Sequence, residues 1–411
     1  MKLAPGTPIS AAFDFGPGRQ QPIGRLALDR QGVTQLEYER GFAASGLSLH
    51  PRFGQPVAGL VAARNPRAFR GLHGVFADSL PDAWGLELLR RRAVELGIDF
   101  NALRGPDLLA CVGSRGPGAL TYLPAFEPQD ERAIDLDRLA GAAIAIEEGR
   151  ESDDVAQLFR LGGSSGGARP KILVDLNAAG AMRPSVALPA EGFAPWIIKF
   201  RSAHDVADSG PLEAAYADMA RAAGLEVAAT RLIPAPGGPG FFATKRFDRA
   251  SGGKRLHLVS AAAILEVDWS IPAFGYEELL KVTRAVTRHQ PDVEAAFRRA
   301  VFNVVAHNRD DHAKQHAFLM DAGGRWHIAP SYDLTFSRGP GDEHYLTVGG
   351  RGTQVSFEDL MALGAAEGIH ERDGRAIVEQ VREAVSDFRT HAKRYGVTRA
   401  TTRAVEQGLR P

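Results

Sequence analysis

The stretch HNRDDHAKQH, residues 307–316, packs seven ionisable side chains into ten positions. It follows PDVEAAFRRAVFNVVAHN (291–308), where Val293, Phe297, Val301 and Val304 recur at helical spacing and Pro291 suits a helix start. A charge cluster at a helix end is ordinarily solvated surface. The alternative is a site that handles a metal ion and a proton. Asp310 is followed five positions later by the amide of Gln315. Beyond the expected strand WHIAP (326–330), a further aspartate, Asp333, sits in SYDLTF. Two carboxylates and an amide carbonyl are the oxygen donors that a hard cation such as Mg²⁺ takes. His307, His312 and His316 suggest zinc instead, but no HExxH spacing occurs and no cysteine is near.

Working back towards the N-terminus, WIIKF (196–200) places Lys199 in an apolar strand, on the face it shares with Ile197. A lysine there is costly unless it is paired or snorkels to water. Glu213 follows fourteen residues later, at the start of the helical pattern GPLEAAYADMARAAGLEV (210–227). Upstream of both is LGGSSGGARPKILVDL (161–176), a glycine-rich turn leading into a strand. Its glycine backbone suits close approach to an anion, although the Walker pattern is absent. Glycine loop, strand lysine, helix glutamate, base aspartate and second aspartate follow the order used by kinases to hold ATP and Mg²⁺. In this register Asp310 and Asp333 are essential, and replacing Asp311, which points elsewhere, is expected to cost little.

The composition bounds the rest. The 411 residues suffice for two or three domains, and 44% hydrophobic with 24% charged residues is ordinary for a soluble globular chain. The 49 basic residues balance 49 acidic ones, so no global field favours nucleic acid or an anionic membrane. Cys111 is the single cysteine, which excludes an internal disulfide and points to a reducing, cytoplasmic setting. The N-terminus lacks a signal-peptide apolar core, and no apolar stretch is long enough to span a membrane. Residues 1–125 read as short strands such as IGRLAL (23–28) and PVAGLV (56–61), followed by a helical stretch over 74–98 with Gly97 at its cap. Residues 127–155 read as part helix and part connector. Beyond about 255 the chain reads mostly helical, with a second long helix over 370–396.

These motifs resemble the HipA family, the serine/threonine kinase toxins of bacterial toxin–antitoxin pairs. The matching segments are GGSSGGARPK (162–171), WIIKF, EAAYADMARAAGL (213–225), KRFDR (245–249), NRDDHAK (308–314) and PSYDLTF (330–336). GVFADSLPDAWG (74–85) and CVGSRGPGALTYLP (111–124) resemble the family's N-terminal part, so the likeness covers nearly the whole chain. It implies an α+β, bilobal fold related to protein and phosphoinositide kinases. The implied division is an N-terminal subdomain (1–125), an ATP-binding lobe (126–250) and a helical catalytic lobe (251–411).

The resemblance further implies that Lys199 contacts ATP phosphates and Glu213 holds it. Thr244, Lys245, Arg246 and Phe247 would meet the adenine through backbone groups. Gly166, Gly167, Ala168, Lys171, His312, Lys314 and Asp333 complete the implied nucleotide site, with Gln315 and Asp333 on Mg²⁺ and Asp310 acting on the acceptor hydroxyl. The family has Asn where this chain has Gln315, the same amide on a longer stem. Ser164 and Ser165 stand at the family's autophosphorylated position, and a phosphate there would swing the loop out towards Arg169 and Lys171. The implied partners are a helix-turn-helix antitoxin, through which DNA is met only indirectly, and a protein substrate such as an aminoacyl-tRNA synthetase. Two other readings stay open: a weak pseudokinase acting as a corepressor scaffold, and a small-molecule or lipid kinase on the same fold.

Overall fold

A computed structural model describes residues 6–54, 56–126, 132–162, 167–272 and 274–409. The first sheet holds β1 (Ile9–Asp14), β2 (Gln20–Leu28), β3 (Thr34–Tyr38), β4 (Leu60–Ala62) and β5 (Leu120–Leu123), in the order β4-β3-β2-β1-β5. The expected strand over 56–61 starts later, because Gly59 sits at a φ of 96° that extended backbone does not adopt. The stretch over 74–98 is two helices, Gly74–Ala77 and Ala83–Glu95. Pro81 disfavours helical geometry at Leu80 and separates them.

The second sheet comprises β6 (Lys171–Asn177), β7 (Met182–Pro184), β8 (Phe193–Lys199), β9 (Thr230–Ala235) and β10 (Gly238–Lys245), ordered β7-β6-β8-β10-β9. In β8, Trp196 and Ile198 are buried while Ile197 and Lys199 share the other face, as period-two geometry requires. The β6–β8 register sets Lys171 directly opposite Lys199. Helix Ser209–Ala222 packs on this sheet, and Gly210 lets it approach: a Cβ there would fall 2.6 Å from the Gly240 carbonyl oxygen.

The C-terminal half is mostly helical, but it also contains a third sheet that the sequence pattern showed only in part. There β11 (His257–Ser260) pairs with β12 (Ala317–Met320), which pairs with β13 (Trp326–Ile328). Strands of four and three residues carry too little periodicity to be read against a helical background. Helix Gln290–Val305 precedes the charged stretch, and the region 370–396 is two helices, Glu371–Ser386 and Phe388–Arg394. The whole is an α+β, bilobal kinase-like fold with an additional N-terminal β-rich unit.

A buried ion cluster joins that unit to the rest. Asp248 accepts from Arg246 and Arg249 and from the Gly118 N–H at 2.8 Å, while Arg246 and Arg255 donate to the Gly116 and Gly118 carbonyls. Burial opposes the Asp248 charge, yet the two guanidiniums hold its carboxyl well below the usual range. The Arg246 side chain is therefore a structural group, which leaves only its backbone for an adenine contact.

His50, His73 and His257 lie buried in and beside the N-terminal unit, and burial lowers them to about 3, 4 and 4 respectively. They are neutral when folded, whereas an unfolded chain takes up protons below about pH 6.5. Stability should therefore be complete above about pH 6.5 and fall as the pH drops towards 4, by up to about 1.4 kcal/mol per pH unit for each histidine. Urea midpoints at pH 7.5 and 5.5 check this; equal midpoints would contradict it.

Candidate active site

Lys199 is the hub. Its ammonium contacts Glu213 Oε1 from helix Ser209–Ala222 and Asp333 Oδ1 from the turn after β13. Its side chain is 10% exposed, so the charges are held largely away from water. Burial alone would discharge Lys199, but Asp333 and Glu213 push it up to about 12. Asp333 adopts a left-handed φ of 57°. Burial disfavours its charge, yet Lys199 and Lys171 hold its carboxyl well below the usual range. Burial pushes Glu213 upward. Lys171, across the sheet, is lowered to about 8 by burial and by the Lys199 charge.

Gln315 lies in the short helical turn Ala313–Gln315 and donates Nε2 to Asp333 Oδ2 at 2.8 Å. The longer amide therefore reaches the second aspartate, so Gln315 and Asp333 are adjacent, as their expected role requires. An Mg²⁺ ion that shares its ligands between protein and nucleotide needs only one or two such oxygens from the protein. The residues fit that ion, provided the Gln315 amide turns its oxygen towards it. The three histidines do not converge: His307 stacks on Phe336, His312 packs against Trp269, and His316 packs beside Tyr276. Among the described residues, no group of three or more His, Cys, Asp or Glu side chains is placed to hold a metal ion.

The adjacent aspartates separate by environment. The Asp310 side chain is 46% exposed and lies 3.9 Å from His312 Nε2. Burial and the Asp333 charge push its carboxyl up to about 6. Asp311 is fully buried and accepts from Tyr276 Oη at 2.6 Å, His344 Nδ1 at 2.9 Å and the Tyr345 N–H at 2.8 Å. It is a structural anchor for the loop. The expectation that its replacement costs little does not survive this geometry.

The remaining expected nucleotide contacts divide. Lys314 and the Gly167 N–H are both engaged by one residue that sequence reasoning missed. That residue is Asp82, from the segment SLPDAWG in the N-terminal unit. Its Oδ1 accepts from Lys314 at 2.6 Å and its Oδ2 from Gly167. Lys171 sits so close that a Cβ at Gly167 would collide with its ammonium. Ala168 is exposed in the same bend. Ser164, Ser165 and Gly166 lie outside the described residues. Arg169, expected as a phosphate partner for the loop, is held bidentately by Asp205. Of the expected adenine contacts, the Lys245 N–H is engaged by the Ala229 carbonyl and the Arg246 N–H by Pro195. Thr244 pairs with Thr230 in the sheet, and Phe247 packs against Tyr332 with ring centroids 5.5 Å apart. Any adenine contact here falls to carbonyls or to the Phe247 backbone. Beside the Lys199–Glu213 pair opens a cleft of about 740 Å³ whose lining includes Phe200, Phe242 and Thr335.

The pattern "HipA-like C-terminal domain" matches residues 163–388 and "HipA N-terminal domain" matches residues 19–123. The chain belongs to the HipA family. Among solved structures, HipA in the Shewanella oneidensis MR-1 complex of HipA, HipB and operator DNA superposes with a TM-score of 0.68 at 18% identity, covering 94% of each chain. That likeness extends the HipA fold over both matched regions. The Helicobacter pylori proinflammatory kinase CtkA aligns over 52% of this chain and 92% of its own, at 15% identity and a TM-score of 0.32. No curated protein matches the sequence. Among the described residues, no helix is long and apolar enough to cross a membrane.

Asp311→Ala should lower the unfolding free energy by about 3 kcal/mol, since it leaves buried donors on Tyr276, His344 and Tyr345 without their acceptor. Denaturant unfolding of the full chain measures it. A loss below about 0.5 kcal/mol, typical of a surface position, would remove Asp311 from the loop's framework.

Proposed function

We propose that this HipA-family chain is an ATP- and Mg²⁺-dependent serine/threonine protein kinase. The observation that carries the reading is the bridging of Glu213 and Asp333 by Lys199, with Asp310 half exposed alongside. A lysine fixed between two carboxylates from separate elements is a preorganised cation at which phosphate oxygens can be held. Asp310, pushed up to about 6, is poised to accept a proton from an acceptor hydroxyl near neutral pH. Mg²⁺, held through Asp333 and Gln315, would neutralise charge on the phosphates. Entry of a phosphate at the Gly167 N–H and Lys314 requires Asp82 to give up those donors.

The acceptor is proposed to be a protein of the translation apparatus, such as an aminoacyl-tRNA synthetase, with autophosphorylation at Ser164 or Ser165. A helix-turn-helix antitoxin is the proposed partner. Support comes from the Shewanella oneidensis relative, described in complex with HipB and operator DNA; contact with DNA would be through the antitoxin. A second reading, a weak pseudokinase serving as a corepressor scaffold, draws on one feature. The Gln315 amide presents its nitrogen, not its oxygen, to Asp333.

Asp310→Asn and Asp333→Asn should each reduce phosphoryl transfer by about 100-fold or more. Wild-type activity should fall on the acid side with an apparent pKa near 6, as Asp310 takes up its proton. Transfer of ³²P from ATP to the chain itself or to a generic acceptor protein reads both. Full activity in Asp310→Asn would reject its role as base. Lys199→Ala should weaken ATP binding by about 1.5–3 kcal/mol. It should also lower the melting temperature, because Glu213 and Asp333 would be left facing each other without a cation; unchanged affinity by calorimetry would leave Lys199 purely structural.

Gln315→Asn should lower the Mg²⁺ concentration needed for half-maximal transfer. A magnesium titration of both proteins decides this. A higher requirement in the variant would mean that the loop has adapted to the longer side chain.

A further inference from the structure

Asp208 occupies the N-cap position of helix Ser209–Ala222, yet its side chain makes no capping bond to that helix. It is 2% exposed, and both of its oxygens serve another element. Oδ2 accepts from the Thr398 N–H and Oδ1 from the Thr401 hydroxyl, each at 2.7 Å. Thr398 is itself the N-cap of the C-terminal helix Arg399–Gly408, and its side chain accepts from the Thr401 N–H at 3.2 Å. One buried carboxylate thus ties together the starts of two helices that are far apart in sequence. An N-cap aspartate normally satisfies its own helix's free N–H groups, so this diversion trades local helix stability for a tertiary fastening.

The other end of the C-terminal helix lies against the segment that follows Asp333. Gly408 lies against the ring of Phe336, and a Cβ there would collide with it. Phe336 is three residues beyond Asp333. Between the two ends, Thr401 and Val405 line the cleft beside Lys199 and Glu213. Further along helix Ser209–Ala222, Asp218 accepts from His391 at 3.2 Å and from Arg394. The C-terminal segment therefore holds both elements that supply Lys199 with its carboxylates.

We propose that helix Arg399–Gly408 is the positioning element of the Lys199 cluster, with Asp208 and Thr401 setting the helix that carries Glu213 and Gly408 seating Phe336 behind Asp333. Its catalytic consequence rests on the kinase reading. Five residues separate Asp208 from Glu213, about 7.5 Å of helix rise, so a displacement at the helix start reaches Glu213 nearly undiminished. Removing the Thr401 hydroxyl leaves a buried carboxylate oxygen without its donor, and the helix start must shift or admit water. Misplacement of a catalytic group by about 1 Å is enough to cost a large factor in rate.

The test uses the full chain with Thr401→Val, Thr401→Ser and Glu213→Gln, singly and as Thr401→Val with Glu213→Gln. Hydrogen exchange over Ser209–Ala222 and phosphoryl transfer from ATP are measured on each folded variant. Thr401→Val should speed exchange in that helix and lower turnover on the order of ten-fold, and Thr401→Ser should restore both. In the Glu213→Gln background, Thr401→Val should bring no further loss of turnover, because its effect passes through Glu213. Unchanged exchange in Thr401→Val, or an equal fractional loss in both backgrounds, overturns the proposal. If the wild-type chain transfers no phosphate, the kinase reading fails, while the exchange result still decides whether the C-terminal helix sets the Glu213 helix.

Discussion

The structure turns on a lysine ammonium held out of water between two carboxylates. A buried charge is tolerated only when oppositely charged groups meet it with good geometry. Lys199 comes from a strand, Glu213 from a helix and Asp333 from a turn in the other lobe, so the charges are satisfied only when all three elements dock. Lys171, directly across the sheet, makes the demand stricter. Two lysines facing each other across an antiparallel pair repel, and the carboxylates of Asp333, Glu213 and Asp82 offset that repulsion. The site's electrostatics and the packing of the lobes are one constraint.

The same logic separates Asp310 from Asp311. Neighbouring residues on an extended loop point apart, and here one side chain is buried among polar partners while the other stays half exposed. Asp311, ringed by Tyr276, His344 and the Tyr345 N–H, fixes the backbone. Asp310 is thereby presented half exposed, near Asp333, with its carboxyl raised. A rigid framework holding a reactive neighbour is the arrangement that acid–base chemistry requires.

The N-terminal unit is built into the site as well as attached to it. The Arg246–Asp248–Arg249 cluster seals its contact with the kinase-like sheet, and Asp82 reaches past that contact to the glycine turn and Lys314. The position of the unit and the hydrogen bonding of the Gly167 N–H and Lys314 are therefore linked through a single carboxylate.

The order of motifs along the chain was enough to single out Lys199, Glu213 and Asp333 as residues to be brought together, and the family resemblance that those motifs carry implied the bilobal α+β architecture. Local chemistry reveals them: a lysine in an apolar strand, a glutamate at a helix start, an aspartate after a short strand. The helices of the C-terminal half were legible because a 3.6-residue period accumulates over ten or more positions. Of the third sheet only the strand at Trp326–Ile328 was legible, because its strands are too short to carry a period. Asp82, Asp208 and Asp311 were equally hidden. In the sequence they are three ordinary aspartates, in a proline turn, before a helix and in a charged loop. Only the tertiary structure gives them partners 85 to 232, 190 to 193 and 33 to 35 residues away. It also gave the Arg246 side chain a place in the scaffold, since the role of a buried charge is set by which opposite charge the fold places against it.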